Sequence, residues 1–469
     1  MPPSFISKLR RSTRQPSSVE LPQPSSEPSL GVELENVIAH YTHRGVSYYL
    51  YTGSDGVLRL RFVEPPEPEG ERLERLVAGL EEPATSAEAY HVEKARSGYG
   101  KLYPLIIDPH VEEIAVDGPG ERVSVIHAFQ PGFWIDVDLT LREDEVDGLA
   151  IQLARKAGRL LSLATPIAEG LTVEGHRIAV TLGREVTRFG STIVLRKFPE
   201  KPITIGDLIA SRVLSPLAAA YLWMLVESRG FIMILGTMGA GKTTLLQALA
   251  NLIPPHHRIV TIEDTPEIRL YHRHWDSLVT RPRIPGEEIE EVDLEDLLRF
   301  ALRRRADHII VGEVRGREAR LLAQAAASGH GSITTFHADS PEAALLRLRL
   351  EPINLPPLFM RMITAFVTIR RIPVARGSPI RRVFQITEIV DDELVDVFKW
   401  RMEMDKLEPS SVEEVVERSV RVREAWERLG MPGGSVEVEL ERRARFLEER
   451  LNLPPETFAA SIAKFYTGG

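Results

Sequence analysis

Residues Gly236-Thr237-Met238-Gly239-Ala240-Gly241-Lys242-Thr243 have the types and spacing that hold a polyphosphate. The pattern is G-x-x-x-x-G-K-[ST], and each fixed position has a physical task. The glycines let backbone N–H groups approach phosphate oxygens, the Lys242 ammonium neutralises the outer phosphates, and the Thr243 hydroxyl is an oxygen ligand for Mg2+, with Thr244 beside it. Three other apolar runs end in acid or imidazole. Ile259-Val260-Thr261-Ile262 leads into Glu263-Asp264, His308-Ile309-Ile310-Val311-Gly312 into Glu313, and Ser332-Ile333-Thr334-Thr335-Phe336 into His337. Phosphoryl transfer to water needs Mg2+ on hydroxyl and carboxylate oxygens, a carboxylate to orient or deprotonate the water, and cations for the charge building on the γ-phosphate. These residues supply that set. Thr243 ligates the metal with Asp264 or Glu313 as the accompanying carboxylate, Glu313 or Glu263 polarises the water, and His337 reports whether the γ-phosphate is present.

Such residues act together only if the chain brings them to one edge. Phe231 to Leu235 is apolar without alternation, as in a parallel strand covered on both faces, and Leu245, Leu246, Leu249 and Leu252 recur at helical spacing, so the order is strand, loop, helix. Further strands are expected at Arg258 to Ile262, His308 to Gly312, Ser332 to Phe336 and Ala365 to Ile369, with helical patterns between them, notably Leu294 to Arg305. That alternation implies an α/β domain with a parallel sheet covered by helices. In open sheets of this kind ligands sit beyond the carboxyl ends of the strands, where these polar residues fall.

The 469 residues, 43% of them hydrophobic, suffice for more than one domain. A net charge of −9 argues against a chain that coats nucleic acid over its whole surface and makes proteins the expected partners. Without cysteine there are no disulfides and no Cys-ligated metal, which is consistent with a reducing cytoplasm. No apolar leader is visible at the start, and Leu217 to Val226 is about half of the ~20 residues a bilayer span needs, so it reads as a buried core helix. Residues 1–30, rich in Pro and Ser, read as a disordered tail. Residues 31–198 read as a smaller α+β domain with 31–90 either a subdomain or an extension of the part that follows, 199–202 as a proline hinge, 203–400 as the phosphate-binding domain and 401–469 as a helical C-terminal region. Within them, Asp144 to Leu163 and Val412 to Leu429 read as continuous helices, and Val383 to Val390 with Glu393 to Trp400 as a hairpin.

From about Tyr99 to Trp400 the chain resembles the type II/IV secretion ATPase superfamily, hexameric motors of pilus assembly, archaellum assembly and secretion. Beside the phosphate loop, IEDTPEIRL from Ile262 to Leu270 is similar to the family's Asp box, IIVGEVRGREA from Ile309 to Ala319 to its Walker B region, and GHGSITTFHADS from Gly329 to Ser340 to its His box. GYGKLYPLIIDPHVEEIAVDG from Gly98 to Gly118 and RFGSTIVLRKFPEKPITIGDLI from Arg188 to Ile209 are similar to the amino-terminal domain of archaeal members. Two features depart from common patterns: the tetracysteine zinc insertion of many bacterial members is absent, and Gly312 stands before Glu313 where other phosphate-loop enzymes carry an aspartate.

The resemblance implies a RecA-like ATPase domain in a hexameric ring, hydrolysing ATP with Mg2+ at subunit interfaces. It further implies that arginines of the amino-terminal domain complete a neighbour's site; by position Arg177 and Arg188 match, with Arg196 a further nucleotide contact. The expected role is a motor for an archaeal type IV pilus-like or type II secretion-like machine. It would work at the inner face of the cell membrane on a polytopic platform protein, with only indirect or peripheral contact to the bilayer and no intrinsic nucleic-acid binding. The alternative is a nucleic-acid-translocating ATPase of the same fold, to be recognised by DNA-stimulated turnover.

Overall fold

The computed structural model describes residues 36–130, 132–198, 202–281, 290–374, 379–430 and 434–467. The expected tail and residues 199–201 of the expected hinge lie outside them. The chain divides between Phe198 and Pro199 into two compact units.

In chain order the first unit contains β1 (Val37–His43), β2 (Val46–Thr52), β3 (Leu58–Val63), α1 (Gly70–Val77), α2 (Ser86–Ser97), α3 (Tyr103–Ile107), β4 (Val111–Val116), β5 (Arg122–His127), β6 (Trp134–Thr140), α4 (Glu143–Lys156), β7 (Ile167–Leu171), β8 (Arg177–Thr181) and β9 (Thr192–Arg196). The strands form one sheet in the order β1-β2-β3-β6-β5-β4-β9-β8-β7. β3 and β6 pair in parallel, so the strands before residue 90 continue the same sheet. Alternation decides the faces: Ile178, Val180, Ile193 and Leu195 are buried, and α4 covers β7, β8 and β9 with Val146, Leu149, Ala150 and Leu153. α4 stops at Lys156, short of the Leu163 the periodicity suggested. Gly158 adopts φ +66° and Arg159 N–H reaches back to Ala154 O (2.8 Å), a glycine C-cap that the apolar residues beyond it conceal in the sequence.

The second unit continues with α5 (Ile205–Ala210), α6 (Pro216–Glu227), β10 (Phe231–Leu235), α7 (Lys242–Ala250), β11 (Ile259–Glu263), β12 (Trp275–Val279), α8 (Leu294–Ala301), β13 (His308–Glu313), α9 (Glu318–Ala327), β14 (Gly331–Phe336), α10 (Pro341–Arg349), α11 (Pro357–Met360), β15 (Ile363–Ile372), β16 (Ile380–Val390), β17 (Glu393–Arg401), β18 (Lys406–Glu408), α12 (Val412–Arg418), α13 (Arg421–Leu429), α14 (Val436–Glu448) and α15 (Pro455–Thr467). Its sheet runs β12-β11-β13-β14-β10-β15-β16-β17-β18. It is parallel from β12 to β15 and antiparallel beyond. β14 lies between β10 and β13, the strand order of a RecA-like domain.

Both faces of this sheet are covered, which is why its central strands lack alternation. Ile232 and Ile234 of β10 join a core with α5, α6, α7 and the C-terminal helices, while Phe231, Met233 and Leu235 join α8, α9 and α10 on the other face. The expected core helix is α6, in which every residue from Leu217 to Val226 is buried. The helices after β18 share that core. Arg443 of α14, fully buried, lies 2.5 Å from Glu227 Oε2 of α6, and Trp223 Nε1 donates to the Tyr466 hydroxyl of α15 (2.7 Å).

The segment from Val412 to Leu429 is two helices, not one. Glu388 of β16, fully buried, accepts from the Tyr221 hydroxyl (2.6 Å), from Val420 N–H (3.0 Å) and from Arg421 N–H (3.2 Å), so its carboxylate caps a new helix start. The break is made by a residue about thirty positions away, which no local pattern shows. Among the described residues no helix is long and apolar enough to cross a membrane.

Candidate functional site: a phosphate loop facing two carboxylates and an imidazole

The loop between β10 and α7 turns into the helix at Gly241, whose φ of +97° is open to glycine alone without strain. Thr237, Met238 and Gly239 are exposed, Gly236 and Ala240 buried, and Thr243 and Thr244 half-buried in the first turn of α7. Lys242 is 8% exposed and folds back over the loop, donating from Nζ to Gly236 O (3.0 Å) and Thr237 O (3.1 Å). Burial holds its ammonium below the usual lysine range, with the nearby Glu313 charge acting the other way.

Adjacent strands complete the constellation. His337, just past β14, sets Nδ1 3.4 Å from Lys242 Nζ and Nε2 2.7 Å from Glu313 Oε1. Burial and the Lys242 charge depress its pKa, which matches a neutral ring whose Nδ1 accepts, while Glu313 Oε1 has no hydrogen-bond partner among the described residues. Glu313 also binds Arg315, a partner that the apolar-run-then-acid pattern does not disclose. A bulge aims Glu313. Val311 pairs with Thr334 and Glu313 with Thr335, so Gly312 is the extra residue, and Thr335 Oγ1 donates to its carbonyl (2.7 Å).

Glu263 packs against Gly312: a Cβ on that glycine would stand 3.2 Å from Glu263 Cγ. This accounts for the missing aspartate, since any side chain at 312 presses on the second carboxylate. Gly312→Asp is therefore expected to lower ATP turnover by ~10-fold or more through displacement of Glu263, and retained turnover would show that the contact is slack. Glu263 is 3% exposed, and its Oε1 accepts from Glu267 N–H (2.8 Å) and Ile268 N–H (2.9 Å), whereas its buried Oε2 has no partner among the described residues. Burial pushes its pKa up to about 7, against the pull of those two N–H groups.

The loop after β11 is fastened to the phosphate-loop helix by two side chains the motif reading passed over. Gln247 Oε1 accepts from Arg269 N–H and Asn251 Oδ1 from Tyr271 N–H, both at 2.8 Å. Their signal was available: polar residues four apart on an otherwise apolar helix. Asp264 faces outward and lies 3.3 Å from Thr280 Oγ1. Thus Lys242, His337 and Glu313 are brought together, with Glu263 packed behind the Gly312 bulge and Thr243 on the first turn of the same helix as Lys242, while Asp264 points to a neighbouring strand end.

Buried carboxylate oxygens of Glu263 and Glu313 without a hydrogen-bond partner among the described residues, together with the Thr243 hydroxyl, are the donor chemistry that suits a hard, oxygen-seeking cation such as Mg2+. Among the described residues no group of three acid or imidazole side chains is placed to hold a metal ion.

The three arginines expected to act on a phosphate belong to the first unit. Arg177 and Arg196 are exposed and directly opposite each other on β8 and β9, and Arg196 Nε is 3.7 Å from Glu113 Oε1 of β4. Arg188 lies in the loop between these strands with its guanidinium 5.5 Å from the Phe189 ring centre.

Residues 169–355 match the family model described as type II/IV secretion system protein. The uncharacterised protein MJ1287 of Methanocaldococcus jannaschii is 42% identical over 268 residues, covering 55% of this chain and 96% of that protein. The type IV secretion system protein PtlH of Bordetella pertussis is 30% identical over 272 residues, covering 53% of this chain and 79% of its own length. Among solved structures, the VirB11 ATPase of the Brucella suis type IV secretion system, crystallised with sulphate, is 26% identical, covering 64% of this chain and 96% of that one at a TM-score of 0.31. A phosphate loop, an acid-bearing bulge and a histidine on neighbouring parallel strands, in a chain that aligns with most of the length of such relatives, place it in the type II/IV secretion ATPase family.

Proposed function

We propose that this chain hydrolyses ATP, with Mg2+, to drive an archaeal type IV pilus-like or type II secretion-like machine. The carrying observation is the line Lys242–His337–Glu313 across the mouth of the phosphate loop. A γ-phosphate entering there draws Lys242 Nζ off the Gly236 and Thr237 carbonyls, to which water then donates. Glu313, on the strand end facing the loop, orients the attacking water and takes its proton, and His337 senses the γ-phosphate through its contacts on both sides. Bound Mg2+ would neutralise charge on the β- and γ-oxygens, with Thr243 as its direct ligand, Glu313 or Asp264 as the accompanying carboxylate and the orphaned Glu263 Oε2 in reach of its waters.

In this proposal Arg177 and Arg188 of one copy complete the site of the next in a homo-oligomeric ring, a hexamer, with Arg196 as an added nucleotide contact. The exposed position of Arg177 and Arg196, opposite each other on β8 and β9, supports that role. Loss of the γ-phosphate releases the contacts it held, and the resulting movement is passed to a polytopic membrane platform at the inner face of the membrane. Specific activity is expected to rise with protein concentration, because a shared site exists only in the assembled ring. Hydrolysis rates across a dilution series that spans the monomer range test this, and a constant specific activity would exclude the shared site.

A further inference from the structure

β15 and β16 run on past the end of β10. Leu235, the last residue of β10, pairs with Thr368, so residues 369–372 flank the phosphate loop itself. Ile369 lines that loop: its carbonyl lies against Gly236 and its Cδ1 against Gly241. In this overhang the antiparallel register sets Arg370 opposite Arg382 and Arg371 opposite Arg381.

The first of these pairs is satisfied within the fold. Arg382 is buried and binds both oxygens of Asp405 (2.7 and 2.8 Å), and Arg370 lies 3.6 Å from the Phe384 ring centre while donating to Asp339 O (3.1 Å). The second pair is not. Arg371 and Arg381 share by alternation the face of Ile369, both are exposed, and neither has an acidic partner among the described residues. Arg381 Nε lies 3.4 Å from Gly239 O, its Cδ would stand 3.3 Å from a Cβ at Gly241, and Arg371 Nη1 would stand 3.9 Å from one at Gly239. Two guanidinium forks held opposite each other repel, and an anion between them removes the repulsion and takes up their donors.

The flank on which they stand decides which phosphate they meet. Lys242, His337 and Glu313 lie toward β14 and β13, whereas Arg371 and Arg381 lie on the opposite side of β10. A triphosphate whose reacting end faces Lys242 and His337 turns its other end to β15. We propose that Arg371 and Arg381 form a clamp, within the same chain as the phosphate loop, on the α-phosphate of the bound nucleotide. ATP and ADP carry that group alike, so the clamp retains the product as strongly as the substrate. This inference rests on residues 236–243 being the phosphate site.

The test measures dissociation constants of ATP, ADP and inorganic tripolyphosphate for the full chain by calorimetry, with the parent, Arg371→Gln, Arg381→Gln and Lys242→Ala. Each arginine substitution is expected to weaken all three ligands by about tenfold and by the same factor, and lysine at either position should restore part of the loss. Unchanged melting temperatures exclude misfolding as the cause. Weaker ATP with unchanged ADP would overturn the proposal by moving the contact to the γ-phosphate. Weaker ATP and ADP with unchanged tripolyphosphate would overturn it by moving the contact to the nucleoside. Unchanged affinities in both arginine variants, while Lys242→Ala loses binding, would remove the clamp and leave the phosphate site standing. If Lys242→Ala itself binds all three ligands as the parent does, the phosphate site fails and the clamp with it.

Discussion

Lys242→Ala is expected to lower ATP turnover by ~10²–10³-fold or more and to weaken nucleotide binding, while leaving the melting temperature where it was. The fold should tolerate the change because the ammonium bonds two carbonyls of the loop, and both can turn to water. Glu313→Gln separates binding from chemistry. The amide keeps the shape beside His337 and Arg315 but accepts no proton, so affinity should stay near the parent value while turnover drops ~10²–10⁴-fold.

Glu263→Gln is the discriminating companion. Its carbonyl oxygen can still accept from Glu267 and Ile268, so the loop after β11 should hold its shape, and the substitution removes only the oxygen that lacks a partner. Both carboxylates have a physical case for the role of base: Glu263 has a pKa lifted to about 7, and Glu313 stands on the line to Lys242. Single-turnover rates at saturating ATP decide between them, and the larger loss in Glu263→Gln would exchange the two assignments. Equal turnover in Lys242→Ala and parent would sink the site as a whole.

The parts of this site visible in the sequence are those that local chemistry dictates. Gly241 must turn, Lys242 must carry charge, and β10 must be apolar on both faces, so the loop and its flanking elements could be read residue by residue. Strand ends were legible for the same reason, because each apolar run stops in an ionisable residue at Glu263, Glu313 and His337. What escaped depends on partners distant in sequence. The bulge at Gly312 is a matter of register between β13 and β14, and only its contact with Glu263 explains why a glycine stands there. The strand Trp275–Val279 has mixed burial at the sheet's edge and no apolar run to announce it. The break at Ser419 comes from Glu388, and the joining of β3 to β6 spans more than seventy residues. Placement of Arg371 opposite Arg381 is likewise a register effect, whereas composition shows only that arginines are numerous.

Mixing two inactive variants is expected to restore part of the hydrolysis. Lys242→Ala has a spoiled phosphate loop but sound arginines in its first unit, and Arg188→Ala has the reverse. In a randomly mixed ring about a quarter of the interfaces then join a sound loop to sound arginines. Arg188→Ala should be inactive without being unfolded, because the residue is exposed and its ring contact is with its own neighbour Phe189. An arginine acting on a transferring phosphoryl group contributes ~10³-fold or more to turnover, whereas an exposed arginine with a structural role contributes ~1 kcal/mol or less to stability, so the two roles differ by a wide margin. Subunit exchange is verified by mass measurement of the mixed assemblies. If exchange occurs and the mixture stays as inactive as either parent, Arg188 does not act across copies. The same mixture made with Arg177→Ala then becomes decisive, since Arg177 is the other exposed arginine proposed to act across copies.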